Sequence, residues 1–327
     1  MAYFLNSFGK VKMTPKKSIY VYLTGGLGNQ LFQLSSALRC REDMSHPIIL
    51  DSVLGSPRAT DGVVDIADFY LPENVSLFQR KASIVMRKAP GFLLRMGISP
   101  RGIEKNPLIK KLIVFMGRLL LSFRYKRWIS IALANNVGES SINVKRNTML
   151  IGYFQTHTNL NCPNVRSSFE DVRPKVISEK LVSLISRAIL EEPIFVHFRF
   201  QDYLQESNFG IPGEDYYSRS LHESNLRSRA IWVFSDNIDL AKKKIPSQLL
   251  NRCFFVDDSH LSPAQILHLF RHGYGYVIAN STFSWWGAAL TLNKSAQVFA
   301  PEPWFKAMDE PKGLISSDWI RKAASFD

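Results

Sequence analysis

The run Ser18-Ile19-Tyr20-Val21-Tyr22-Leu23-Thr24-Gly25-Gly26-Leu27-Gly28, continued by Asn29 to Cys40, decides the fold at the start of the chain. Ser18 to Leu23 alternates and ends on β-branched and aromatic residues, which predicts a strand. Asn29 to Cys40 places Leu31, Leu34 and Leu38 on one face, which predicts a helix. Pro47 to Leu50 is a second short apolar strand closed by Asp51, so the chain opens with a β-loop-α-β unit. Outward from there, the second half repeats the alternation. Strands are predicted at Ile194 to Phe198, Ile231 to Phe234, Cys253 to Val256, Tyr276 to Ala279 and, last, Gln297 to Ala300. Helices are predicted at Lys175 to Leu190, Asp215 to Glu223, Pro263 to Arg271 and Thr282 to Thr291. Such alternation requires parallel sheets with helices on both faces. The fold class is therefore α/β, with two halves, residues 1–170 and 171–327, joined near residues 160–176 across a central cleft.

A chain of 327 residues suits two domains of ordinary size, and 46% hydrophobic with 21% charged residues describes a folded chain. Ala2 to Leu5 is a short apolar patch with no basic residue before it, so no secretory leader is predicted. The longest apolar run, Leu112 to Ser122, is interrupted by Arg118 and falls short of the roughly 20 residues a membrane span needs. Cys40, Cys162 and Cys253 stand far apart, with neither disulfide nor zinc spacing. A cytoplasmic location is expected.

The net charge of +13 is concentrated. Residues 80–127 hold thirteen Lys or Arg against the single acid Glu104, so this segment accounts for +12 of it. These cations alternate with Leu, Ile, Met and Phe, unlike a nucleic-acid patch. Ile109 to Met116 and Leu119-Leu120-Leu121 predict a basic amphipathic segment, assigned to 80–128. It suits either an anionic membrane surface, on the inner face of the cytoplasmic membrane, or an ordinary packed helix with a solvated basic face. Pro90-Gly91, Ser99-Pro100 and Asn106-Pro107 are expected to break the helical middle, about residues 80–135, into pieces.

Ligands of open α/β sheets bind beyond the carboxyl ends of the strands. In the second half those ends carry His197, Arg199 and Asp202; then Ser235 and Asp236; then Asp257-Asp258-Ser259; then Asn280-Ser281-Thr282-Phe283-Ser284. Asn and hydroxyl residues opening a helix make an anion site, and simple capping does not explain the Trp285-Trp286-Gly287 behind them. Arg199 offers bidentate bonds to a phosphate, with an ion pair to Asp202 or Asp236 as the competing role. Gly26-x-Gly28 with Asp51 imitates a dinucleotide fingerprint, but Leu31 occupies the third glycine position. No Asp-x-Asp triplet occurs to anchor a metal.

These motifs resemble glycosyltransferase family 11, the α-1,2-fucosyltransferases of bacterial surface-glycan pathways. Gly25 to Gln33 matches the family's opening motif, and Gly152-Tyr153-Phe154-Gln155 its central one. His197-x-Arg199-x-x-Asp202-Tyr203, Asp215-Tyr216-Tyr217, Phe234-Ser235-Asp236 and Asn280 to Ala288 follow in the family's order, and the likeness spans roughly residues 18–305. The resemblance implies a GT-B fold of two Rossmann-like domains, a GDP-sugar donor, inversion, and neither cofactor nor metal. It assigns donor binding to Gly26, Gly28, Asn29, Gln30, His197, Arg199, Ser235, Asp236, Asn280, Ser281, Thr282 and Ser284. Tyr153 and Gln155 fall on the acceptor side. Arg199 and Asp202 are the catalytic candidates, Asp202 either as base or as the partner that orients Arg199. One departure is plain: Phe200 stands where the family has a second arginine and Gln201 where it has a glycine, which implies a lost cation near the leaving group. Expected partners are GDP-fucose, a glycan or lipid-linked oligosaccharide acceptor in O-antigen or capsule synthesis, and an anionic membrane surface, without nucleic acid. Another GDP-6-deoxysugar such as colitose is the alternative donor. A dinucleotide-dependent oxidoreductase and a non-catalytic glycan-binding module are the alternatives of other classes.

Overall fold

A computed structural model describes residues 17–55, 64–98, 106–134, 137–138, 142, 144, 146–204, 208–223 and 228–326. Two all-parallel sheets organise them. The first joins β1 (Ile19–Tyr22), β2 (Ile48–Asp51), β3 (Val75–Phe78), β4 (Ser130–Leu133) and β5 (Thr148–Ile151) in the order β3-β2-β1-β5-β4. The second joins β6 (Ile194–Phe198), β7 (Ile231–Ser235), β8 (Cys253–Phe255), β9 (Gly275–Val277), β10 (Val298–Glu302) and β11 (Ile320–Ala323) in the order β11-β10-β9-β6-β7-β8. Registers such as Val21↔Leu50 and His197↔Phe234 align the strand ends that carry the polar motifs.

Nearly every residue of β1, β2, β5, β6 and β7 is buried, as strands covered on both faces must be. One apolar core lies between the sheets and is shared by both. It includes Leu31 and Phe32 of α1 (Leu27–Cys40), Val165 and Phe169 of α4 (Pro163–Glu170), and Trp285 and Trp286 of α9 (Thr282–Ala289). The Phe32 ring lies 4.5 Å from Trp285 and 5.0 Å from Trp286, so the helices behind the two longest motifs pack directly on each other. Trp285-Trp286 is therefore inter-domain core. Separate cores cover the outer faces. One lies under α2 (Ile84–Ile98) and α3 (Pro107–Tyr125), the other under α6 (Glu214–Leu221) and α7 (Ile238–Lys244).

Several expectations are corrected. β3, β4, β5 and β11 had no predicted counterpart, and β4 ends the stretch read as helical throughout. β3, β4 and β11 are half-buried edge strands without the continuous buried run of β1 or β6, and β5 is a four-residue run with no period of its own. Pro90 does not break the middle segment; α2 runs through it. Its missing N–H costs one helical bond, offset by burial of Leu93, Leu94 and Met96 against the sheet. Asn106-Pro107 does mark a boundary, because Asn106 caps α3 by accepting from the N–H groups of Leu108 and Ile109. Ser99-Pro100 lies outside the described residues.

Candidate active site

The loop after β1 is built by its own motif. Gly25 has φ +76°, a left-handed conformation that favours glycine, and a Cβ there would meet the Asn29 side chain. Gln33 accepts from the Thr24 N–H and donates to the carbonyls of Thr24 and Gly152. Gln30 donates to the Gly25 carbonyl and accepts from the Ile66 N–H. Asn29 Oδ1 accepts from Gln155 Nε2 at 2.8 Å, so the opening and central motifs hold each other. Phe154 between them is buried at φ +56°, a strained backbone for a non-glycine residue.

The glycine loop reaches the other domain at Gly28. A Cβ on Gly28 would lie 2.4 to 2.6 Å from the backbone and Oγ1 of Thr282, the first residue of α9. The N-termini of α1 and α9 therefore meet, and Gly25, Gly26, Leu27, Gly28, Ser281, Thr282 and Phe283 line one cleft of about 750 Å³. Gly26 caps α1 without any side-chain bond. Two helix N-termini, each carrying about half a positive charge, thus border a single volume, an arrangement suited to an anion.

The second sheet supplies the rest. His197, at the end of β6, is buried beside Arg199, and burial followed by the guanidinium lowers its pKa to about 3, so the imidazole is neutral. Arg199 Nη1 sits 3.3 Å from Asp236 Oδ2, the ion pair weighed against a phosphate role, while Asp236 Oδ1 accepts from the Phe200 N–H. Ser235 also lines the cleft, its hydroxyl engaged with the backbone of Asn237. Asn280 donates to the carbonyls of Phe209 and Gly210, and its own carbonyl accepts from Tyr203. Tyr217 holds the strand end by donating to the His197 carbonyl, which makes Asp215-Tyr216-Tyr217 a scaffold motif. Among the described residues, three buried cleft atoms have no protein partner: His197 Nδ1, Gln155 Oε1 and Asn280 Oδ1. Each is a hydrogen-bonding group that a bound molecule can satisfy.

Of the predicted residues, Gly26, Gly28, Asn29, Tyr153, Gln155, His197, Arg199, Ser235, Asp236, Asn280, Ser281 and Thr282 line this cleft together. Gln30 and Ser284 do not. Gln30 lies beneath the loop, and Ser284 is buried with its hydroxyl donated to Ala279 and Ser281 carbonyls, so both are supports. The side chain of Asp202 lies outside the described residues; the turn that carries it, Gln201–Leu204, brings Tyr203 to the cleft. Phe200 is corrected more sharply. It is 2% exposed in the outer core, its ring parallel to Phe198, so it points away from the cleft and leaves no gap there. Sequence reasoning missed Asp65, which no motif marks, and left Asp258 unassigned although it follows a strand end; both line the cleft.

Asp51 decides against the dinucleotide reading. Its carboxylate is fully buried, accepting from Arg124 Nε at 2.7 Å, from Tyr125 Oη at 2.6 Å, and from the N–H groups of Val53 and Leu54. It has no access to the glycine loop's cleft, and no ribose can reach it.

A second groove, lined by Tyr22, Thr24, Leu54, Ile84, Arg87 and Lys88, shares Gly25 and Tyr153 with the main cleft. The two volumes meet around the glycine loop. Among the described residues no carboxylate lines the groove, whereas the cleft carries Asp65, Asp236 and Asp258.

Two parallel-sheet domains closing on a cleft from their strand ends form the GT-B architecture, and the activity it serves here is given by the family. The family model described as Glycosyl transferase family 11 matches residues 121–321, and the chain belongs to that family. The O-antigen biosynthesis glycosyltransferase WbnK of Escherichia coli is 26% identical over 324 residues, covering 92% of this chain and 99% of that protein. An alpha-1,2-colitosyltransferase of Escherichia coli is 25% identical over 313 residues, covering 91% and 97%. Among solved structures, fucosyltransferase NodZ from Bradyrhizobium aligns at 12% identity and a TM-score of 0.46, covering 85% of this chain and 94% of that one.

Proposed function

We propose that this glycosyltransferase transfers a 6-deoxyhexose, L-fucose or its relative colitose, from a GDP-linked donor to a glycan hydroxyl with inversion, forming an α-1,2 linkage in surface-polysaccharide synthesis. One observation carries the reading: Gly28 packs on Thr282, so the two signature loops and two helix N-termini close over the same cleft. The diphosphate lies between Arg199 and the α9 turn, and the neutral His197 with Asp236 hydrogen-bonds the nucleoside. The acceptor hydroxyl arrives from the groove shared at Tyr153. It attacks the anomeric carbon as the bond to the diphosphate breaks and gives its proton to a base, for which Asp202 is the candidate, its other role being to orient Arg199. The guanidinium and the helix N–H groups stabilise the departing charge, the part a metal plays in other transferases. Colitose is a specific second donor because an alpha-1,2-colitosyltransferase is among the relatives.

Calorimetric titration with GDP, NAD and free glycans, followed by a GDP-sugar donor screen read by mass spectrometry, tests this. The expected result is GDP binding, sugar-dependent GDP release, and turnover that survives excess EDTA. Tight NAD binding, or glycan binding with no GDP release, would sink it.

A further inference from the structure

We infer that the outer face of α3 docks this protein on an anionic lipid bilayer. The helix is apolar on two sides, with Ile113 and Val114 packed inward beside its buried residues. Gly117, Leu121, Arg124 and Tyr125 are its buried residues, while Leu108, Leu112, Phe115, Met116, Leu119 and Phe123 are 39% to 78% exposed. With Phe115 and Met116 adjacent and the others three or four residues apart, the six form one continuous stripe along a 19-residue helix. A surface helix ordinarily buries such a stripe, and a contiguous exposed patch of this kind marks an interaction surface. Ile84 and Val85, exposed at the start of the adjoining α2, add to it.

Charge identifies the occupant. Among the described residues of 80–98 and 106–128 there is no acid, and Lys81, Lys88, Lys111, Lys126 and Arg127 are exposed. A second copy of the same face would bring like charges together, which opposes self-association. A nucleic acid would leave the apolar stripe in water. An anionic bilayer satisfies both features: basic side chains reach the headgroups while Leu and Phe enter the acyl boundary. No described helix is long and apolar enough to cross a membrane, so α3 lies along the surface. Ile84, Arg87 and Lys88 also line the groove that meets the donor cleft, so docking brings the groove's α2 rim toward the bilayer. Two basic residues of the segment have other duties. Arg124 is buried on Asp51, and Arg118 donates to the Ile129 carbonyl and Ser130 and stacks on Trp128.

The test is co-sedimentation of the full chain with phosphatidylcholine vesicles, with and without about one-third phosphatidylglycerol. Retention is expected only on the anionic vesicles, and it should collapse as salt approaches 1 M, where the Debye length is about 3 Å. Lys111→Gln, Lys126→Gln and Arg127→Gln together should weaken it about a hundredfold, at about fivefold for each cation. Leu112→Gln with Phe115→Gln should also release the protein, with GDP binding and thermal unfolding unchanged. Three outcomes overturn the inference: equally poor retention on both vesicles, a concentration-dependent dimer abolished by the Leu112/Phe115 variant, or lost stability in that variant. GDP binding is read on every protein, so failure of the functional reading and failure of docking are seen separately.

Discussion

Gly28→Ala probes the joint on which the cleft depends. Its new Cβ would stand 2.4 Å from the Thr282 carbonyl carbon, 2.5 Å from Oγ1 and 2.6 Å from the carbonyl oxygen. Backbone cannot rotate aside as a flexible side chain would, so α1 and α9 must separate. Both helices are anchored in the shared core through Phe32, Trp285 and Trp286, and overpacking at such a contact costs about 1–3 kcal/mol. The displaced residues, Ser281 and Thr282, also line the cleft, so GDP affinity should fall along with stability. Gly26→Ala is the control. A Cβ on Gly26 meets nothing within 4 Å, so its melting temperature should stay near that of the parent, while Gly28→Ala drops by several degrees. Differential scanning fluorimetry and calorimetric GDP titration on both variants measure this. If Gly28→Ala melts and binds GDP like the parent, the two loops are not in contact and the cleft is assembled differently.

Three further outcomes are expected. Arg199→Lys should weaken GDP binding by about 1–3 kcal/mol, because an ammonium cannot reproduce a two-pronged contact; unchanged affinity in a titration would remove Arg199 from the diphosphate site. Phe200→Arg should not restore a missing cation; it buries a charge in the outer core at a cost of about 3–5 kcal/mol, and raised turnover at unchanged denaturant stability would contradict its placement. His197 has a folded pKa of about 3 against 6.5 when free, so the unfolded chain takes up its proton first as pH falls. Its contribution is complete above pH 6.5 and lost progressively down to about 3, amounting to about 2 kcal/mol by pH 5. His197→Gln should flatten that part of a urea-unfolding pH series, and an equally steep profile would show that His197 is not buried as a neutral ring.

The parallel α/β character was legible because buried parallel strands and amphipathic helices write strong local patterns, as Ile194 to Phe198 and Asn29 to Cys40 show. Four strands were not: β3, β4 and β11 are half-buried edge strands, and the run Thr148–Ile151 carries no period of its own. Site residues at strand ends could be named from order alone, since parallel strands present all their carboxyl ends on one edge. Hence His197, Arg199, Ser235, Asp236 and Asn280 meet in one cleft.

What the chain could not reveal locally is which partner each polar group takes. Gln30 and Asn29 are neighbours in one motif, yet one supports the loop and the other faces Gln155 across it. Asp51 and Arg124 lie far apart in sequence and neutralise each other in the interior, which removed one from a cofactor role and the other from a basic surface. Phe200 reads as a lost arginine in the motif but packs on the far side of the sheet, because a one-residue step from Arg199 reverses the side chain. The sequence by itself determined most of the helices, seven of the strands, their parallel character and the edge where ligand would bind, all consequences of local periodicity and chain connectivity. Only the tertiary structure decided which side chains are spent in ion pairs and loop supports, which line the cleft, and that α3 leaves a second apolar face outward, because each of those depends on contacts between residues distant in the chain.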